Sequence, residues 1–106
     1  GPAERDFAFP AQMAPTAFAY ARPKRLRDDP NAAGVRVHVV PDLRWARCDI
    51  KITAMLAQVL AKQAAKAAGA DKALLHEDRL VTEGGSSNLG IVRDGAIYTR
   101  PLSDDI

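Results

Sequence analysis

From about Thr53 to Ala68, apolar side chains return at three- and four-residue steps, through Met55, Leu56, Val59, Leu60 and Ala67 with Gln63 on the same stripe. That period fits a helix and not a strand, and Gly69 stands where a helix C-cap is wanted. The bulky stripe is the expected core face. Because the helix starts beside Lys51, packing of that stripe is expected to fix where the lysine points. On either side of the helix the period is two. Val35-Arg36-Val37-His38-Val39-Val40 reads as a strand ended by Pro41, with His38 half-exposed on the face opposite Val35, Val37 and Val39. Lys72 to His76 and Leu80 to Glu83 read as short strands joined at Glu77-Asp78-Arg79. Asn88 to Val92 and Ala96 to Arg100 read as a hairpin around Asp94-Gly95, a strong two-residue turn signal. Several antiparallel strands with one helix make an α+β fold.

Ahead of this block, residues 1–10 read as a loop, and Thr16 to Ala21 place aromatics at alternate positions, as in a strand with one buried face. Pro23 to Gly34 gathers two prolines and the basic run Lys24-Arg25-Leu26-Arg27, which reads as a solvated connection. The expected organisation is therefore a first segment over 1–22, a linker over 23–34 and a second domain from 35 onward.

Charge narrows the functional classes. Fifteen basic against thirteen acidic residues give +2, too balanced a surface to argue for nucleic acid or an anionic membrane as partner. One cysteine forms no internal disulfide, and with two distant histidines it gives no metal-ligand spacing, so no metal is expected. No apolar run approaches the length of a signal-peptide core or a membrane span, which makes the cytoplasm the expected compartment.

Two stretches carry the chemistry. In Arg44-Trp45-Ala46-Arg47-Cys48-Asp49-Ile50-Lys51 the lysine stands between two β-branched apolar residues, Ile50 and Ile52, which tend to draw an ammonium out of water and favour the nucleophilic amine. Such an amine condenses with a carbonyl to a Schiff base, the way enzymes hold pyridoxal phosphate. A lysine that simply lays its stem on an apolar surface has the same local sequence. In the second stretch Glu83 precedes Gly84-Gly85-Ser86-Ser87, where glycines permit close backbone approach and hydroxyls supply short hydrogen-bonding groups. No lysine follows at the spacing of a nucleotide-binding loop.

Taken together, Pro41-Asp42-Leu43-Arg44-Trp45 leading to Arg47-Cys48-Asp49-Ile50-Lys51, then Val59-Leu60-Ala61-Lys62-Gln63, then Val81-Thr82-Glu83-Gly84 through Ser86-Ser87-Asn88 resemble, in order and spacing, the class IV (fold type IV) pyridoxal phosphate-dependent aminotransferases, and within them the D-amino acid branch. The resemblance implies a homodimeric transaminase acting on a D-amino acid such as D-alanine and a 2-oxo acid such as 2-oxoglutarate. Lys51 would hold pyridoxal 5′-phosphate as an aldimine. Glu83 would bond the ring nitrogen, and Arg44, Ser86 and Ser87 would lie near the cofactor. Arg5 falls on the first position of an Arg-x-His pair that grips the substrate carboxylate, but here the second position is Phe7. Leu56 stands where branched-chain members carry a tyrosine, which favours the D-type branch. Branched-chain and (R)-amine aminotransferases and 4-amino-4-deoxychorismate lyases share the fold and are the alternatives. The resemblance also implies a longer protein, in which 1–22 is the end of a small N-terminal α/β domain, 23–34 the interdomain linker and 35–106 the first part of the cofactor-binding C-terminal domain, with the phosphate-binding segment past Ile106.

Overall fold

The structure is a computed structural model that describes residues 6–24 and 32–106. It divides into two units, Gly1–Asn31 and Ala32–Ile106. In the first unit the described residues form no helix or strand, so the strand expected over 16–21 is absent. A strand needs a partner for its backbone groups, and none is found among the described residues. The alternation survives only as a local contact: Phe18 and Tyr20 stack with ring centroids 6.4 Å apart and planes 11° from parallel, and both are exposed.

The second unit is built on β1 (Val37–Pro41), α1 (Leu56–Ala67), β2 (Lys72–Glu77) and β3 (Leu80–Gly84), followed by β4 (Ile91–Arg93) and β5 (Ala96–Tyr98). β1, β2 and β3 form one sheet in that order, and β4 and β5 pair separately. β1 runs parallel to β2, so the chain must cross over between them, and α1 is that crossover. β2 and β3 are antiparallel and turn at Asp78, while β4 and β5 turn at Asp94-Gly95, where both residues have positive φ (50° and 75°), the signature of a type I′ hairpin. The α+β mixture agrees with the sequence, but the parallel β1–β2 pair was not legible in the strand pattern alone.

The core is small: Val40, Ala61, Ala65, Ala73 and Leu75 are buried, and Ala70 packs against them. It corrects two expectations. Met55, Leu56, Val59 and Leu60, the expected core stripe of α1, are all exposed. The face that meets the sheet is instead Ala61 and Ala65, with Ala57 half-buried one turn earlier. Alanines four apart lie on one face, and without bulky side chains that face sits close to the strands. On β1 it is Val40, with half-buried His38, that turns toward this core, while Val37 and Val39 remain exposed.

α1 begins at Leu56 rather than Thr53, with Met55 as an N-cap that makes no side-chain hydrogen bond. Its other end is well defined. Gly69 has φ +71°, its N–H donates to the Lys66 carbonyl (3.0 Å), and the Ala70 N–H donates to the Ala65 carbonyl (2.8 Å), which is a Schellman motif. The motif turns Ala70 inward and delivers the chain to β2.

Substituting Gly69→Ala should therefore cost about 1–2 kcal/mol, the penalty for an L-residue in the left-handed region. Gly34→Ala, at a position with open space and no positive φ, is the control and should leave the denaturation midpoint unchanged. Equal effects of the two would refute the assignment of the cap.

Candidate active site

Sheet register determines what the end of β3 can do. Leu74 pairs with Gly84 and His76 with Val81, so on β2 only Leu75 lies between the paired positions, whereas on β3 both Thr82 and Glu83 do. That extra residue is a β-bulge. In a regular strand Thr82 and Glu83 would project to opposite faces; a bulge re-aims one of them. Here both reach the same pair of side chains. Thr82 Oγ1 donates to Asp42 Oδ2 (2.5 Å), and Glu83 Oε2 accepts from Arg44 Nη1 (2.7 Å).

Asp42 and Arg44 form the most heavily hydrogen-bonded ion pair among the described residues. Arg44 Nε donates to both oxygens of Asp42 (3.0 and 3.1 Å), Nη2 donates to Oδ2 (2.7 Å), and the Arg44 backbone N–H donates to Oδ1 (3.0 Å). Nη2 also donates to the Asp105 carbonyl (2.7 Å), which ties the end of the described chain to this loop. The Arg44 and Asp42 side chains are only 7% and 10% exposed, against 24% for Glu83. Burial pushes the Asp42 carboxyl up, but the hydrogen bonds from the Arg44 side chain, Thr82 and the Arg44 backbone together outweigh it and hold the carboxyl below its ordinary value of 3.8. The Arg44 guanidinium is raised in turn, chiefly by its hydrogen bonds to Asp42.

After β3 the chain folds back at once. Ser87 forms an isolated bridge with Gly84, and a Cβ on Gly84 would meet the Ser87 carbonyl and lie 2.7 Å from its Oγ, so this position requires glycine. The Gly85 N–H donates to the Ala73 carbonyl (3.0 Å) and pins the turn to β2. Ser86 and Ser87 are thereby held beside Glu83.

Lys51 lies in the loop between β1 and α1. Together with Arg44, Glu83, Ser86 and Ser87 it lines one open cleft of about 930 Å3. Its lining also includes the apolar side chains of Trp45, Ile52, Met55 and Leu56. Five of the six residues singled out from sequence thus share one cavity; Arg5 lies outside the described residues. Lys51 is itself exposed, and its neighbours Ile50 and Ile52 are 44% and 38% exposed, so they do not enclose the amine as their sequence suggested. Lys51 nevertheless lines the cleft. The loop before it is stiffened by Arg47, which grips Asp49 through two bonds of 2.8 and 2.7 Å, and by the Ile50 N–H donating to the Arg47 carbonyl (3.1 Å).

Cys48 also lines the cleft, but burial pushes its thiol up more than the nearby Arg44 charge pulls it down, and its Sγ lies 3.2 Å from the Trp45 carbonyl. This is the environment of a protonated thiol rather than a nucleophile. Among the described residues no three His, Cys, Asp or Glu side chains gather as a metal site, and no helix is long and apolar enough to cross a membrane. The residue sequence reasoning missed is Asp42. Its only signal was its spacing two residues before Arg44, which is common in turns.

The sequence pattern of the amino-transferase class IV family matches residues 1–106. The chain is 40% identical over 107 residues to the D-alanine aminotransferase of Staphylococcus haemolyticus, and 41% identical over the same length to that of Staphylococcus aureus strain N315. Both alignments take in 100% of this chain and 38% of the relative. The D-alanine aminotransferase of Bacillus licheniformis is 39% identical over 97% of this chain and 36% of its own length. The chain therefore spans less than two-fifths of the curated relatives it matches.

Removing one member of a buried ion pair leaves the other uncompensated, so Arg44→Ala should lose about 3–5 kcal/mol of stability at neutral pH. Arg47→Ala, which breaks an exposed pair, should leave stability essentially unchanged. The Asp42 contribution is fully present above its unfolded value near 3.8 and is lost as pH falls through the lower folded value. The gap between wild type and Arg44→Ala should accordingly narrow in acid. A gap that persists unchanged at low pH would show that Arg44 acts by packing alone.

Proposed function

The chain belongs to the class IV aminotransferases, and from that premise we propose that the intact protein is a cytoplasmic homodimer that uses pyridoxal 5′-phosphate to move an amino group between a D-amino acid such as D-alanine and a 2-oxo acid such as 2-oxoglutarate. The observation that carries this reading is the shared cleft, whose lining combines an amine, a carboxylate and two hydroxyls with apolar side chains. That donor set fits the cofactor: a flat heteroaromatic ring with a carbonyl, a protonatable nitrogen and anionic groups at its edges needs those partners. The D-alanine aminotransferases at about 40% identity support the choice of substrate.

When bound, the cofactor supplies an electron sink for the charge left at the substrate Cα. The protein has three tasks around it. Lys51 Nζ supplies the nucleophile that holds the cofactor and, once released by substrate, the base that moves the Cα proton. Glu83 keeps the ring nitrogen protonated. Arg44 occupies its Oε2, and a carboxylate has a second oxygen, Oε1, able to accept the ring N–H. Ser86 and Ser87 present hydroxyl donors to the cleft, and the apolar side chains that share its lining help to exclude water. Arg5 holds the substrate carboxylate through a charge-assisted pair, without the histidine usual in the D-branch because Phe7 takes that position.

Borohydride reduction of the intact holoprotein, followed by peptide mapping, should place the pyridoxyl mass on Lys51. A mass on Lys62 or Lys66 would rule out the assignment. Arg5→Ala should raise KM for both the amino donor and the 2-oxo acid, because their carboxylates occupy one site in the two half-reactions. The expected loss in kcat/KM is roughly ten- to a hundred-fold. An equal loss with a carboxylate-free amine would mean that Arg5 does not read the carboxylate.

A further inference from the structure

We propose that Asp42 is a positioning residue for this cleft: it carries the charge that balances Arg44, and so leaves Glu83 its own negative charge to face the ring nitrogen. The proposal rests on the reading of Glu83 given above and adds a residue that does not itself line the cleft.

The geometry divides Arg44 unequally between its two carboxylates. Asp42 takes Nε with both oxygens and Nη2 with one, whereas Glu83 takes Nη1 through Oε2 alone. The third partner, the Asp105 carbonyl, is neutral. One guanidinium between two carboxylates leaves a net charge of about −1 on the group, and the more buried and more heavily bonded Asp42 is where Arg44 is neutralised. Apart from Arg44, no cation among the described residues forms a salt bridge with Asp42 or Glu83. Arg100 Nη2 lies 3.3 Å from Asp105 Oδ2, so those two balance each other, and Lys72 Nζ approaches Ser87 Oγ at 3.5 Å. Thr82, turned the same way as Glu83 by the bulge, donates to Asp42 and fixes its orientation.

Were Asp42 neutral, Arg44 would rest against Glu83 alone. That pair has no net charge, and its pull on a protonated ring nitrogen would largely vanish. Asp42 thus acts at one remove, by setting how much of the Glu83 charge remains available.

The test is binding rather than turnover. Pyridoxamine 5′-phosphate and its deaza analogue, which lacks the ring nitrogen, are titrated into the cofactor-free form of the intact protein. Wild type should prefer the nitrogen-containing ligand by roughly ten- to a hundred-fold, the range for a charge-assisted hydrogen bond. In Asp42→Asn, which keeps the shape but only one of the two acceptor oxygens, the preference should fall to about threefold or less, while Asp42→Glu should retain it. A role confined to the fold would weaken both ligands together and leave the ratio unchanged, which would overturn the proposal.

The double variant D42N/R44Q removes both charges of the buried pair and leaves Glu83 unneutralised, so it should recover the preference. If D42N does not fold, this double variant decides alone: preference kept supports the proposal, and preference lost overturns it. Glu83→Gln separates the two levels of inference. Loss of the preference there, with its retention in D42N, overturns the role of Asp42 only. Retention in Glu83→Gln removes the assignment of Glu83, and the proposal with it.

Discussion

The Asp42–Arg44 pair joins three parts of the chain around the cleft: the end of β1, β3 and the last described turn. Asp42 follows directly on β1, and its own N–H continues the β1–β2 ladder by donating to the His76 carbonyl (2.8 Å). Arg44 reaches β3 through Glu83 and the last described turn through the Asp105 carbonyl. Two charges this deeply buried are unfavourable unless their remaining hydrogen-bonding groups are met. Here they are met by Thr82, a backbone N–H and a backbone carbonyl. The cost of burying the ions thereby becomes a constraint on geometry, since any displacement of β1, β3 or the 103–106 turn leaves one of those groups unsatisfied.

Much of the fold could be read from the sequence where a single local rule decides. Gly69 after an alanine-rich helix and Asp94-Gly95 between apolar runs each mark a backbone conformation that few residues adopt, and both turned out as expected. The lysine, glutamate and serine positions could be read because residue type and order identify a family. What could not be read depended on tertiary pairing. Phe18 and Tyr20 alternate as a strand does, but alternation describes one side of a chain and says nothing about whether a partner exists. The helix failed for a related reason. Its large residues at helical spacing suggested burial, yet the sheet meets Ala61 and Ala65, because the distance between two packed elements is set by the smallest side chains at the contact.

That small contact leaves a broad apolar surface. Ile91, Val92, Ile97 and Tyr98 on the β4–β5 hairpin are all exposed, as are Val37 and Val39 on β1. The bulky flank of α1 contributes differently, since Met55 and Leu56 form part of the apolar lining of the cleft. One helix therefore divides its work by residue size, with alanines inward for docking and larger residues outward for lining the cavity.

The β-bulge at Thr82-Glu83 has an evolutionary consequence. Because a strand alternates strictly, the direction of Glu83 is stored as a count of residues between the β2–β3 turn and Gly84, not in the identity of its neighbours. Point substitutions along β3 leave that count intact, so the strand can drift in composition while the carboxylate keeps its aim. Losing or gaining a single codon in this interval would instead swing it away from Arg44 in one step. Selection on this stretch should accordingly act far more severely on length than on spelling.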